Sequence, residues 1–276
     1  MSRIGVAILD TGIYPHIDFD SRIVAFKDFV KGYERSYDDN SHGTHVAGII
    51  GGSGKASRGR FKGICPECNI IAVKVLDRQG NGKIENVLAG IWWILDNAAR
   101  LNIRVMNLSF GAADTNGRAE EVLVTAVEKV WNNNIVVVTA AGNEGPESGS
   151  VTVPGISKKV ITVGTYDDSE YTDSNGVRHK NYSGRGPTKD CIVKPEVLTV
   201  GSNIVSCANM KNGYMAKSGT SMSAPIVSGA IAKLLTQYPH MEPKAVKMRL
   251  LERAVPLGLE KEHQGWGLLD LEKFLC

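Results

Sequence analysis

The chain has 276 residues, of which 42% are hydrophobic and 22% charged, an ordinary globular composition with enough apolar material for a sizeable core. A net charge of +3 with both signs interspersed gives no basic footprint for nucleic acid. No run approaches the roughly 18 apolar residues of a membrane span, so neither a nucleic acid nor a membrane is expected as a partner.

Residues 1–6, Met1-Ser2-Arg3-Ile4-Gly5-Val6, lead straight into a strand-like run. They lack the long apolar stretch and small-residue cleavage site of a signal peptide. Five cysteines, an odd number in a long chain, do not make a disulfide framework. Both features favour a reducing, cytoplasmic setting, although a secreted chain trimmed of its leader reads the same way.

Residues 4–9 form a continuous apolar run ending in Asp10-Thr11-Gly12, which predicts a buried strand and a tight turn. A more amphipathic strand is expected at 23–30, a polar loop at 33–40, and a helix opening at His42. Residues 51–63 read as a glycine-rich, basic and mobile surface loop. A buried strand is predicted at 70–76. Helical spacing covers 84–99, with Ile84, Val87, Leu88, Ile91, Trp92 and Leu95 on one side. Further strands are expected at 103–108, 135–139 and 160–163, with a helix at 119–132 between the first two. Residues 164–200 read as loops and short edge strands. Short strands at 204–207 and 214–216 precede an apolar helix at 226–235. A surface helix at 243–253 and a closing segment at 268–275 complete the chain. Strands alternate with helices over short connections and no internal repeat intervenes. This predicts one α/β domain over residues 1–276, three layers deep, with a mainly parallel sheet and helices on both faces.

Chemistry-bearing residues fall at distinctive places in that pattern. Ligands of open parallel sheets sit outside the carboxyl ends of the strands. Asp10, Ser109 and Asn143 all fall there. Taken alone, Asp10 and Asn143 also suit turns. Ser221, in Ser218-Gly219-Thr220-Ser221-Met222-Ser223-Ala224-Pro225, is either a helix cap or a nucleophile that needs a base. His42 and His45, three apart on one helix, offer either that base or half of a metal site.

Four ordered segments resolve these alternatives by resemblance. They are Ala7-Ile8-Leu9-Asp10-Thr11-Gly12-Ile13, Asn40-Ser41-His42-Gly43-Thr44-His45-Val46-Ala47-Gly48, Ala140-Ala141-Gly142-Asn143-Glu144-Gly145 and the segment around Ser221. Ala72-Val73-Lys74-Val75-Leu76-Asp77 and Gly265-Trp266-Gly267-Leu268-Leu269-Asp270 add two landmarks. Across nearly its whole length the chain resembles the subtilisin-like serine proteases, the subtilase family. The resemblance implies a serine endopeptidase acting on peptides or proteins, with Ser221 as nucleophile, His42 as base and Asp10 as its orienting acid. Asn143 and the Ser221 N–H would hold the oxyanion, while Thr220 either adds a weaker donor or shapes the turn. Substrate backbone would pair with Gly80, Asn81 and Gly82 on one side and with Ser109, Phe110 and Gly111 on the other. A first pocket would lie between Ser109–Gly111 and Ala140, Ala141 and Gly142, with Glu144 at its rim and Thr152 or Val153 deeper. A second would be lined by Ile84, Val87 and Phe110.

The chain departs from the family pattern in its cation sites. The loop that would hold a high-affinity calcium is basic and lacks carboxylates, so that site is expected to be absent. A weaker cation site near Gly155, Ser157, Val160 and Glu196 stays open, and no cofactor is expected to be required. The glycine-rich loop fails the phosphate-loop template, since Ile49 and Ala56 stand where glycine and a hydroxyl residue belong. Cys65-Pro66-Glu67-Cys68 reads as a turn, with half a zinc site or a redox pair as alternatives. Of the pair Trp92-Trp93, one ring is expected in the core and one partly exposed. Broad specificity is expected. The competing readings are a narrow processing peptidase, a catalytically inactive subtilase fold used for binding, and a His42/His45/Asp10 metallohydrolase.

Overall fold

In the computed structural model, residues 3–111, 118–169, 171–172, 176 and 178–276 are described. The apolar runs become strands β1 (Gly5–Asp10), β2 (Ile23–Asp28), β3 (Asn69–Lys74), β4 (Ile103–Leu108), β5 (Val136–Ala140) and β6 (Ile161–Thr165). A hairpin of β7 (Tyr171–Thr172) and β8 (Arg178–His179) follows, then β9 (Val197–Thr199) and an antiparallel pair, β10 (Ile204–Cys207) and β11 (Tyr214–Lys217). Seven strands make one parallel sheet in the order β2-β3-β1-β4-β5-β6-β9. The helices are α1 (His42–Gly51), α2 (Ile84–Asn97), α3 (Arg118–Asn132), α4 (Thr220–Gln237), α5 (Pro243–Arg253), α6 (Lys261–Gln264) and α7 (Leu271–Leu275).

The continuous apolar character of the strands has a direct cause: both sheet faces are covered, so alternate side chains enter two different cores. Along β1, Val6 and Ile8 join Val46, Ile50, Val227 and Ile231 of α1 and α4. Ala7 and Leu9 join Ile91, Ile94, Val127 and Val130 of α2 and α3 on the other side. The chain is therefore a three-layer α/β structure.

Several local expectations shift. The buried stripe of α2 is Val87, Gly90, Ile91 and Ile94, and Trp92, expected on it, is 39% exposed with Lys129 Nζ 4.8 Å over its ring. Gly90 explains the rotation: a Cβ there would lie 2.8 Å from Val75 Cγ1, so the helix presses its bare backbone onto the sheet. Trp93 packs partly buried on the same core. Strand β2 stops at Asp28, not Val30, because the Asp28 carboxylate captures the amides of Val30, Lys31 and Tyr33. The basic loop at 51–63 is tethered: the amides of Gly54 and Ala56 donate to the Asp18 carboxylate at 3.2 and 2.9 Å. Within the 164–200 stretch, Glu170, residues 173–175 and Val177 lie outside the described residues. The part that is described contributes β9 to the sheet edge.

Candidate active site

Sheet order brings three strand ends side by side: β1 ends at Asp10, β4 delivers Ser109 and β5 delivers residues 141–143. Asp10 is 1% exposed. Its Oδ1 accepts the Thr11 amide at 2.7 Å and faces His42 Nδ1 at 2.7 Å. A carboxylate can only accept, so Nδ1 is the donor and the neutral ring keeps Nε2 as an acceptor. The His42 side chain is 23% exposed, which leaves it open to a substrate. Burial lowers its pKa, but the charge and hydrogen bond of Asp10 outweigh burial, and the net value rises above the ordinary 6.5 with Lys217 opposing.

Asp38 holds the acid turn and the histidine helix together. Its buried carboxylate accepts the Thr11 hydroxyl, the Asn40, Ser41 and Thr44 amides and the Thr44 hydroxyl, all between 2.6 and 3.0 Å. Desolvation favours the neutral acid there, yet those donors win and its pKa falls below the usual value. Thr11 Oγ1 in turn accepts the Gly43 amide at 2.9 Å. Ser41, just before His42, sits at φ 92°, a strained conformation for a non-glycine residue. Along the chain, residues 33–40 show only the polar composition of a loop. The available signal was an aspartate whose side chain can cap the amides that follow it.

His45 turns the other way. It is fully buried and its Nε2 donates to the carbonyls of Ile204 and Met215 at 2.9 and 3.0 Å. Burial pushes its pKa down to about 3. With Nε2 committed to two carbonyls, His45 does not share a site with His42, which removes the basis for a metal held by both. Among the described residues the metal-ligating types group only at His16, Asp18 and Cys207. There the Asp18 amide donates to His16 Nδ1 and the Asp18 carboxylate already takes Tyr214, Cys207 and two loop amides.

Ser221 is the second residue of α4. The helix is entered through Gly219 at φ 135°, a conformation side chains rarely adopt. The Ser221 hydroxyl donates to the Ser109 carbonyl at 2.7 Å rather than to His42. Asn143 is oriented by Thr220, whose amide and hydroxyl both donate to Asn143 Oδ1 at 3.1 and 3.0 Å. Asn143 Nδ2 thereby lies beside Gly219, with no acceptor shown for it among the described residues, and the Thr220 hydroxyl also accepts the Gly142 amide at 3.2 Å. The Thr220 hydroxyl is thus spent on positioning Asn143.

Two cavities flank these groups. One of about 290 Å³ is lined by Leu76, Gly80, Asn81, Gly82, Ile84, Val87, Phe110, Gly111 and Leu123, bringing together the residues expected for the second pocket. The other, of about 300 Å³, includes Glu144, Thr152 and Val153 as expected. Ser109, Phe110, Gly111, Ala141 and Gly142 are not in its lining, although Thr152 packs against both Gly111 and Gly142. Its lining also includes Glu120, Val151, Ile156, Thr188, Lys189 and Asp190. No local sequence signal announces them, because distant segments supply them.

Of the groups expected for a weak cation site, Val160 and Glu196 are already bonded. Lys194 Nζ reaches the Val160 carbonyl, Thr162 Oγ1 and both Glu196 oxygens at 2.8–3.2 Å. Lys247 Nζ bonds the same carbonyl and Glu196 Oε1 at 3.0 and 2.8 Å. At the loop expected to lack calcium, backbone amides rather than carbonyls face Asp18, and the buried Arg22 bonds the Asp18 and Gly51 carbonyls. In both places cationic side chains or amides already occupy oxygens that a hard cation would use as ligands. Cys65 and Cys68 are fully buried in a turn closed by a 3.1 Å backbone bond, and the neighbouring Cys68 side chain, with burial, pushes the Cys65 thiol up.

The family model described as the Subtilase family matches residues 2–267. Serine protease AprX of Bacillus subtilis (strain 168) is 41% identical over 260 residues, covering 88% of this chain and 59% of its own. Subtilisin DY of Bacillus licheniformis is 32% identical over 274 residues, covering 98% and 90%. The chain thus spans well under two thirds of AprX but most of subtilisin DY. Among solved structures, sphericase superposes with a TM-score of 0.79 at 27% identity, covering 97% of this chain and 91% of its own. A cold-adapted subtilisin-like serine proteinase gives 0.76 at 28%, covering 97% and 86%. The family match over nearly the entire chain, joined to this sheet and this cluster at its edge, makes the protein a member of the subtilase family.

Proposed function

We propose that the protein is a serine endopeptidase using Asp10, His42 and Ser221. The observation that carries this reading is the 2.7 Å bond between His42 Nδ1 and Asp10, which leaves Nε2 unprotonated on the open side of the ring. Ser221 Oγ rotates off the Ser109 carbonyl toward Nε2 and gives it a proton while attacking the scissile carbonyl. The imidazolium formed is stabilised by Asp10 and hands that proton to the departing amine. Water then repeats the sequence on the acyl-enzyme and regenerates Ser221. Negative charge on the tetrahedral oxygen is met by Asn143 Nδ2–H and the Ser221 N–H at the start of α4.

Substrate class follows from the two cavities. Gly80, Asn81 and Gly82 facing Phe110 and Gly111 support an extended peptide held by its backbone, which demands little of the sequence bound. The cavity at Ile84, Val87 and Phe110 suits an apolar side chain. The cavity beside the Asn143 loop combines Val151, Val153 and Ile156 with three carboxylates, Glu120, Glu144 and Asp190, against one ammonium, Lys189, which pairs with Glu120 at 3.8 Å; the remaining negative charge suits apolar or basic residues over acidic ones. No resident cation takes part, a reading supported by the lysine ammonium groups on Val160 and Glu196. A cytoplasmic setting is supported by five cysteines, all of them unpaired. No helix of the described residues is long and apolar enough to cross a membrane.

A fluorophosphonate should label the wild type and fail to label Ser221→Ala. Activity abolished by chelator and indifferent to the serine reagent would sink the proposal. Mapping cleavage sites in a proteome-derived peptide library, wild type against Ser221→Ala, reads the specificity; a strong preference for acidic residues at the cut would exclude the pocket assignment.

A further inference from the structure

Beneath Ser221 runs a closed circuit of buried polar contacts. Asn107 lies in β4, in the middle of the sheet, and is fully buried. Its Nδ2 donates to Ser109 Oγ at 2.8 Å, and its Oδ1 accepts the Ser228 hydroxyl at 2.7 Å. Ser228 lies on α4 seven residues after Ser221, about two turns, and so on the same face. Ser109 completes the circuit, because its carbonyl accepts the Ser221 hydroxyl at 2.7 Å.

Packing alone does not call for this arrangement. Asn107 is flanked in β4 by the buried apolar residues Val105, Met106 and Leu108, and a leucine would fill its volume without desolvating an amide. A buried carboxamide is tolerated when both its ends are paired, and then it fixes geometry more sharply than apolar contact does. Here its two ends fasten two different elements: the strand that leads into Ser109–Gly111 and the helix that carries Ser221.

We propose that Asn107 and Ser228 are positioning residues that set the spacing between the Ser221 helix and the Ser109–Gly111 substrate strand. The inference rests on Ser221 being the nucleophile. Asn107 touches no reacting atom. It acts through Ser109, whose carbonyl marks the resting position of the Ser221 hydroxyl and whose backbone begins the strand that would hold the peptide. Loosening the fastening displaces the nucleophile relative to the bound carbonyl, and displacements of that kind cost rate more than ground-state affinity.

The test uses Ser228→Ala, Asn107→Leu and the double variant, with kcat expressed per fluorophosphonate-titrated site. Ser228→Ala removes one hydroxyl from a helix in which alanine is well tolerated, so it keeps the question answerable should Asn107→Leu fail to fold. Each single variant should lose about tenfold in kcat with KM changed less than about twofold. The double variant should be no worse than Asn107→Leu alone, since both break one circuit, and Ser228→Thr, which keeps the hydroxyl, should recover most of the loss. Full kcat per titrated site in Ser228→Ala, or losses that multiply in the double variant, would overturn the proposal while leaving Ser221 as nucleophile. A wild type that the fluorophosphonate fails to label would instead overturn the reading of Ser221 itself.

Discussion

Two of the buried polar clusters in this molecule are finished differently. At Lys194, Glu196 and Lys247 the ammonium groups and the carboxylate oxygens take protein partners at 2.8–3.2 Å. At Asp10, His42 and Ser221 the bonding stops short. Asp10 Oδ2 is buried without a hydrogen-bond partner among the described residues, and the Ser221 hydroxyl rests on the Ser109 carbonyl rather than on His42. A completed cluster holds structure in place, because every desolvated group is compensated. An incomplete one keeps bonding capacity in reserve for a substrate and its transition state. The contrast predicts that the first cluster should control stability and the second should control rate.

The largest expected effect lies in the second. Ser221→Ala and Asp10→Asn should each lower kcat/KM by about 10⁴-fold or more, with little change in Tm, measured on a peptide anilide and by thermal melting. Glu196→Ala tests the first cluster. It strands a fully buried ammonium and should cost about 3–5 kcal/mol in denaturant unfolding, with kcat per titrated site near wild type. A variant that kept its stability and lost turnover would erase the distinction between the clusters. Next comes Asn143→Ala, expected to lower kcat by about 10²–10³-fold with KM little altered. Thr220→Val, which leaves Asn143 Oδ1 one donor short, should cost less.

Two histidines on α1 carry the same contrast into pH dependence. In the proposed mechanism His42 must be neutral to accept the Ser221 proton, and Asp10 raises its pKa above 6.5. kcat/KM should therefore rise with pH through a midpoint above 6.5. His45 is held neutral, with its pKa pushed down to about 3 from the ordinary 6.5. The unfolded chain binds a proton at that residue below pH 6.5 and the folded chain does not, so its contribution is present above 6.5 and lost as pH falls toward 3. In a Tm series over that window, His45→Gln should flatten the slope and leave the kcat/KM midpoint in place. The smallest expected effect is that of chelator or added calcium on Tm. With Lys194 and Lys247 on the candidate oxygens, neither treatment is expected to move Tm, and a rise of several degrees with calcium would contradict the lysine assignment.

Much of this was legible in the residue order. Continuous apolar runs alternating with helical periodicity specify a sheet buried on both faces, and β1, β4 and β5 lie close to their expected places. Asp10, His42, Asn143 and Ser221 stand in local motifs, so a linear reading picks them out. What periodicity could not give was the rotation of α2, which follows from a bare glycine meeting Val75 across space.

The remaining features were decided by tertiary structure alone. Asp38, Lys194 and Asn107 look like ordinary polar residues along the chain, because their meaning lies in partners brought from elsewhere: Thr11 for Asp38, Val160 and Thr162 for Lys194, Ser228 for Asn107. The cavity beside the Asn143 loop is likewise assembled from segments between Glu120 and Asp190. Sequence determines which side chains carry the chemistry and which faces they share, since those follow from local spacing. Folding decides which buried polar groups find partners and which do not, since hydrogen bonds act over about 3 Å of space irrespective of separation along the chain.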